Sequence, residues 1–174
     1  MIRRCNETDG DSICAVINNG ATAYRGVIPP DRLSEPYMSR AELNHEIGSG
    51  VDFWGWEEDG ELIAVMGLQP VRDVTLIRHA YVTMNRQRQG VGRALLTHLM
   101  PLAEGPILIG TWKAASWAIQ FYQKNGFELV NEQTRNDLLR TYWDIPDRQI
   151  ETSVVLREIP SAAGGAEAPR YSEL

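Results

Sequence analysis

The chain has 174 residues, a formal net charge of −6, two cysteines and three histidines. That length is one domain's worth and buries a core without metal or disulfide staples, while the acidic balance excludes nonspecific nucleic-acid binding, which depends on Lys and Arg at phosphates. Cys5 and Cys14 have no metal-type spacing, no apolar run reaches membrane length, and the N-terminus lacks a signal-peptide core, so reduced core thiols in a soluble cytoplasmic protein are expected.

In chain order, residues 2–5 read as a short strand, and Asp9 or Asp11 can cap a helix whose apolar positions are Ile13, Val16 and Ile17. Residues 23–30 form a loop, and a second helix covers about 39–47, ending near Gly48. Residues 52–57 and 61–68 are strands joined by a hairpin turn at Glu58, Asp59 and Gly60, where the Asp-Gly pair supplies positive φ. Trp54 and Trp56 share one face of their strand and read as core, with pocket wall as the alternative. Residues 74–82 make the fourth strand; a helix with Ala94, Leu95, Leu99 and Leu102 follows and ends or kinks at Pro101. The fifth strand, 107–111, leads into a helix that Ser116 can cap, with Ala118, Phe121, Tyr122 and Asn125 on one face and Gly126 as its stop. Residues 127–130 are the next strand. Residues 131–152 are long for one connection, and Leu138, Leu139, Tyr142 and Trp143 predict an amphipathic turn or helix within it. A last strand at 153–157 closes a domain spanning 1–157, and 158–174 is a C-terminal tail whose Pro, Ala and Gly have the composition of a disordered linker.

The informative stretch is Gln87, Arg88, Gln89, Gly90, Val91, Gly92 and Arg93, which leaves an apolar strand and opens a helix. The first amides of a helix have no intrahelical acceptor, and the dipole is positive at that end, so a glycine turn there is an anion site. Gly90 and Gly92 let the backbone approach closely. Arg86, Arg88 and Arg93 add positive charge within an acidic chain, the alternative being a solvated basic patch. A dinucleotide fingerprint would need glycine at Leu95, and a P-loop would need Gly-Lys-Ser/Thr at the helix start.

The run resembles the Gln/Arg-x-x-Gly-x-Gly/Ala acyl-CoA pyrophosphate loop of the GNAT superfamily of N-acetyltransferases. Residues 118–127, with Ala118, Phe121, Tyr122, Gly126 and Phe127, resemble the Ala-x-x-Phe-Tyr-x-x-x-Gly-Phe end of that family's second conserved block. The resemblance implies an α/β fold of α+β type: a mixed, mostly antiparallel twisted sheet of about seven strands, helices on both faces, and splayed fourth and fifth strands. It implies acetyl-CoA as cosubstrate, no metal, and a small-molecule or peptide amine as acceptor. Tyr81, Val82 and Met84 would line the pantetheine arm, with Val82 N–H donating to the thioester oxygen, and residues 87–93 would wrap the pyrophosphate. Where the family often has glycine, two places before Gly90, stands Arg88; where it often has asparagine before the tyrosine helix stands Ala115, and Ser116 is the substitute.

By the same resemblance Tyr122 is the acid that protonates the leaving thiolate, a role its phenol fits because an unperturbed pKa near ~10 keeps it protonated at neutral pH. An acceptor amine also needs a base, and His79 is the candidate, with Glu57 and Glu58 as alternatives. His45 and His98 fall in predicted helices facing solvent. Tyr24, the loop after it, Tyr37, Met38, Tyr142, Trp143 and Asp144 form the expected acceptor side. The reading is thus an acetyl-CoA-dependent N-acetyltransferase, with a homodimer as the candidate assembly and without nucleic-acid or membrane partners; the alternative is a non-catalytic acyl-CoA-binding sensor or assembly module.

Overall fold

The computed structural model describes residues 1–160; of the predicted tail 158–174, positions 161–174 lie outside the described residues. The elements are β1 (Ile2–Arg4), α1 (Gly10–Ala21), α2 (Arg40–Gly48), β2 (Asp52–Glu58), β3 (Glu61–Val71), β4 (Val74–Val82), α3 (Val91–Leu99), β5 (Ile107–Trp112), α4 (Ser116–Lys124), β6 (Phe127–Leu129), α5 (Glu132–Tyr142), α6 (Asp147–Glu151) and β7 (Ser153–Glu158). The strands form a mixed seven-stranded sheet in the order β1-β2-β3-β4-β5-β7-β6, with β4 and β5 parallel. The pairs β1–β2, β2–β3, β5–β7 and β6–β7 are antiparallel. The chain divides into two compact units, one of Met1–Pro70 and Ile77–Ala103, the other of Val71–Leu76 and the chain from Glu104.

In the first unit, Ile13, Val16 and Ile17 of α1 recur at helical spacing and pack with Leu43 of α2 against Val51, Phe53 and Val65. Ser39 caps α2 with a capping box: its Oγ accepts from Glu42 N at 3.2 Å, and Glu42 Oε2 accepts from Ser39 N at 2.7 Å. The expected cap of α1 by Asp9 or Asp11 is not what forms. Asn6 caps a short 3-10 turn at Glu7–Asp9 that leads into the helix, and Asp9 makes no side-chain cap to α1. Its carboxylate instead accepts both terminal guanidinium nitrogens of Arg3 at 2.8 Å, and Asn6 N at 2.8 Å. A bidentate charged pair is stronger than a bond to one helix amide, which is why β1 and not α1 claims this carboxylate.

Alternation along β2 puts Phe53 and Gly55 in the core on the α1–α2 face and Trp54 and Trp56 on the other. The two tryptophans are half-buried and not core as expected: α3 covers that face, and His98, exposed as predicted, lies tilted at 54° against Trp54 with ring centroids 5.3 Å apart. The hairpin between β2 and β3 turns at Asp59 and Gly60 with φ of +50° and +81°, as the Asp-Gly pair required. Pro101 sits in the 3-10 turn that ends α3.

In the second unit Val74, Leu76, Leu108 and Val155 pack under Leu138, Leu139, Tyr142 and Ile150. Residues 131–152 hold two helices where a single turn or helix was expected. Asn131 caps the first by accepting from Thr134 N at 2.9 Å, and Tyr142 anchors it by donating to Asp73 Oδ1 at 2.7 Å. Helix α4 begins at Ser116 itself, with Ala115 in the cap position and no side-chain cap bond, so Ser116 is the first helical residue and not the cap.

The Arg3–Asp9 pair predicts a pH-dependent stability. Hydrogen bonding from Arg3 chiefly holds the Asp9 carboxyl below its ordinary value, so its stabilisation is complete above the unfolded-state value of about 3.9 and fades as pH falls through the lowered folded value. Asp9→Asn should cost about 2 kcal/mol near neutral pH, the scale of a lost charged hydrogen bond. Denaturant melts at pH 7 and pH 3 should show that difference shrinking in acid.

Candidate active site

The first unit carries most of the predicted residues, and they follow from one strand. His79 lies in the middle of β4 with φ of +50°, left-handed backbone that a side chain with Cβ adopts at a cost of about 1–2 kcal/mol. Its ring stacks on Phe53 at 5.8 Å and 26°, and its Nε2 lies 3.2 Å from Glu46 Oε2 at ion-pair distance, without hydrogen-bond alignment. Glu46 Oε2 also accepts from Arg78 Nη2 at 3.0 Å, Arg78 Nη1 donates to Gln69 Oε1 at 2.7 Å, and Gln69 Nε2 donates to the Ser49 carbonyl at 3.0 Å. Burial pushes the Glu46 carboxyl up, but His79 and Arg78 outweigh it and hold the carboxyl below its usual range.

Two residues further, Tyr81 meets Tyr24 and Tyr37, with centroid separations of 5.6 to 6.3 Å among the three rings. Desolvation, with the neighbouring phenols, raises the Tyr81 phenol well above its ordinary range, although part of the side chain reaches solvent. Tyr81 is therefore a donor at any working pH. A cleft of about 420 Å³ opens beside Tyr37, lined also by Asn18, Thr22, Arg25, Glu35 and Pro36. Met38, expected on the acceptor side, is core, its backbone bonded both ways to the Asn18 amide.

The strand ends where α1 holds it. Asn19 Oδ1 accepts from Met84 N at 2.7 Å, and a Cβ on Gly20 would come within 3.0 Å of the Tyr81 ring. Thr83 Oγ1 at this junction is buried with no hydrogen-bond partner among the described residues. Met84 is 46% exposed and opens a 3-10 turn at Met84–Arg86. Gln87 donates to the Val82 carbonyl and Gln89 to the Asn85 carbonyl, at 3.3 and 3.1 Å, so both amides brace the loop from within. Gly90 has φ of +82° and no side chain caps α3, so the first-turn amides of Val91, Gly92 and Arg93 precede the first helical bond, Ala94 N to Gly90 O at 2.9 Å. Arg88 itself is left-handed, with φ of +62°, a conformation that favours glycine. Arg86 is bound to Glu58 at 2.9 Å, whereas Arg88 and Arg93 have no ion pair among the described residues. Glu57 pairs with Arg3 at 2.6 Å, so both alternative bases are committed elsewhere.

The second unit carries Tyr122, Ser116 and Trp143. Tyr122 is buried on α4 between Phe121 and Phe127, at 5.1 and 6.0 Å between centroids. Ser116 is exposed at the start of that helix. Trp143 is half-buried and lies over Gly110 of β5, where a Cβ would come within 3.1 Å of the indole. Glu46, Asn19, Gly20 and Thr83 were not singled out from the sequence. Nothing in the spacing of Glu46 marks it; its last-turn position on a helix that is mostly exposed apart from Leu43 does not reveal that it faces β4.

Among the described residues there is no cluster of three or more His, Cys, Asp or Glu able to hold a metal, and no helix long and apolar enough to cross a membrane. Residues 49–129 match the acetyltransferase (GNAT) domain. N-acetyltransferase family 8 member 3 of Rattus norvegicus is 28% identical over 90 residues, covering 46% of this chain and 40% of that protein. Peptidyl-lysine N-acetyltransferase YiaC of Escherichia coli (strain K12) is 28% identical over 78 residues, covering 45% of this chain and 51% of that protein. The chain thus spans about half or less of the length of these curated relatives. The PaiA N-acetyltransferase of Thermoplasma acidophilum, solved in complex with coenzyme A, shares the fold with a TM-score of 0.69 at 17% identity, over 92% of this chain and 98% of that one. Residues 49–129 thus match a GNAT acetyltransferase domain, and the fold around them is that of solved GNAT structures.

The left-handed Arg88 gives a direct stability test. Arg88→Gly should be neutral or stabilising by up to about 1 kcal/mol, because relief of the αL cost offsets glycine's extra unfolded-state freedom. Arg88→Ala keeps the strained backbone and should give no such gain in matched denaturant melts.

Proposed function

We propose that the protein is an N-acetyltransferase that passes the acetyl group of acetyl-CoA to a primary amine of a small molecule or peptide by direct attack on the thioester. The observation that carries this reading is the uncapped start of α3: left-handed Gly90, open first-turn amides and two cations without ion pairs among the described residues, Arg88 and Arg93, in a chain of net charge −6. Such a helix start suits a pyrophosphate. The exposed thioether of Met84 and the orphaned Thr83 hydroxyl fit an apolar arm with polar amide groups lying along the end of β4. The relative named as a peptidyl-lysine N-acetyltransferase supports an amine acceptor that includes peptides.

In this reading residues 87–93 hold the pyrophosphate, Tyr81, Val82 and Met84 line the pantetheine arm, and Ser116 meets it from α4. Val82 N–H donates to the thioester oxygen as charge develops there, the moment at which a fixed donor lowers the barrier most. Tyr122 gives its phenolic proton to the departing thiolate. His79 accepts the proton of the attacking amine, the other candidate carboxylates being held in ion pairs. Tyr24 and Trp143 contribute to the acceptor side.

Calorimetric titration of acetyl-CoA into the wild-type protein and Gly92→Glu tests the cofactor assignment. A carboxylate in the first helical turn favours the helix but occupies the anion site, so micromolar binding should disappear from a folded variant. No binding to the folded wild type would remove the transferase reading. Tyr122→Phe should then lower kcat by about 100-fold or more, the usual share of a positioned acid, with CoA affinity unchanged. CoA binding without turnover of any amine would leave the sensor module as the better description.

A further inference from the structure

Resting on the acetyl-transfer reading, the geometry points to Glu46 and His79 as a proton-accepting dyad, with Nδ1 of His79 taking the acceptor amine's proton and Glu46 as the positioning residue behind it. Nε2 is buried with the Glu46 carboxylate at 3.2 Å, and the side chain keeps 15% of its surface exposed; with Nε2 turned to the carboxylate, Nδ1 is the ring nitrogen left to accept a proton. A carboxylate facing Nε2 favours the tautomer that carries its hydrogen there and leaves the lone pair on Nδ1. It also stabilises the imidazolium that forms when Nδ1 is protonated.

The carboxylate is itself fixed. Arg78 donates to the same Oε2 at 3.0 Å, and Gln69 holds Arg78 at 2.7 Å, so Glu46 is anchored from two strands while it reaches β4 from the last turn of α2. The Phe53 ring, stacked at 26°, sets the plane of the imidazole. The left-handed backbone at His79 interrupts the alternation of β4, and Tyr81, two residues on, joins the Tyr24 and Tyr37 cluster. The groups around the ring are Glu46 from α2, with His45 exposed beside it in sequence, Arg78 from β4, the neutral Gln69 from β3 and the Phe53 ring from β2.

The step balances as follows. Nδ1 takes one proton from the acceptor's ammonium, and the freed lone pair forms the C–N bond at the thioester carbon. As the tetrahedral adduct collapses, the C–S bond breaks. The sulfur leaves with the phenolic proton of Tyr122, and the second nitrogen proton lost from the adduct replaces it. The proton on His79 passes to water, which returns the dyad to its starting state.

The test is the pH profile of kcat/KM for wild type, Glu46→Gln, Glu46→Asp and His79→Asn, asparagine being tolerated at positive φ. In Glu46→Gln the acidic limb should move to lower pH, the direction expected when an adjacent anion is removed from the base, while the plateau falls about 10-fold or more. Glu46→Asp should keep the limb near wild type, His79→Asn should lose it, and acetyl-CoA affinity should stay within about twofold throughout. A limb that stays in place in Glu46→Gln, or survives in His79→Asn, overturns the dyad. Wild type that binds acetyl-CoA but transfers to no amine overturns the dyad and the transferase reading together, whereas turnover indifferent to His79 overturns the dyad alone.

Discussion

The site depends on where β4 stops. A strand with the composition of this one would continue its ladder until something ended it, and here the end of α1 does so. Asn19 takes the Met84 amide at 2.7 Å, Thr83 N donates to the Ile63 carbonyl at 2.9 Å, and Gly20 lets the helix come so near that a Cβ would crowd Tyr81 and the Val82 carbonyl. These contacts fix the residue at which pleated backbone gives way to the glycine loop. They thereby fix the direction in which α3 presents its first amides. A shift of one residue would exchange the faces of Tyr81 and Val82 and displace the helix start.

Charge in the first unit is distributed with the same economy. Arg3 spans Asp9 and Glu57, Arg4 meets Asp52, Arg78 meets Glu46 and Arg86 meets Glu58. Most of these pairs are partly exposed, and such pairs contribute only a few tenths to about 1 kcal/mol each. Their larger effect is to consume cations and carboxylates away from α3. What remains beside the helix start is Arg88 and Arg93, so an acidic protein presents a local field of opposite sign where an anion would sit.

The pattern of strands and helices was readable because each carries a period or a punctuation mark: alternation in β2 to β4, the apolar triad Ile13, Val16 and Ile17 in α1, Asp59-Gly60 at the hairpin, Gly90 and Gly126 at helix ends. The glycine loop and Tyr122 were legible through resemblance, which periodicity alone could not supply. What the sequence hid was tertiary. Asp9 looks like a helix cap until the fork of Arg3 arrives from the neighbouring strand; Trp54 and Trp56 look like core until α3 is seen to cover only part of them. Glu46 looks like one more exposed helix acid because its partners, His79 and Arg78, lie more than thirty residues away in the chain. Ser116 was misplaced by one residue for a milder reason, since helix boundaries are the least determined feature of a sequence.

Among the described residues four that are not glycine adopt left-handed backbone, and their positions separate ordinary from unusual strain. Asp59 and Arg72 occupy tight connections between adjacent strands, where positive φ is what the turn demands. His79 and Arg88 do not. One interrupts a strand and the other stands in a loop at a place where glycine would cost nothing, and both flank the stretch that carries Tyr81, Val82 and Met84. Strain of this kind persists only when surrounding contacts over-determine it. At His79 those contacts are Phe53 and Glu46; at Arg88 they are the bracing amides of Gln87 and Gln89 on either side. A chain that needed only a stable hairpin and a helix would place glycine or asparagine at both positions. A histidine against a carboxylate and an arginine beside open helix amides are therefore the two places where the proposed chemistry would draw on a backbone cost.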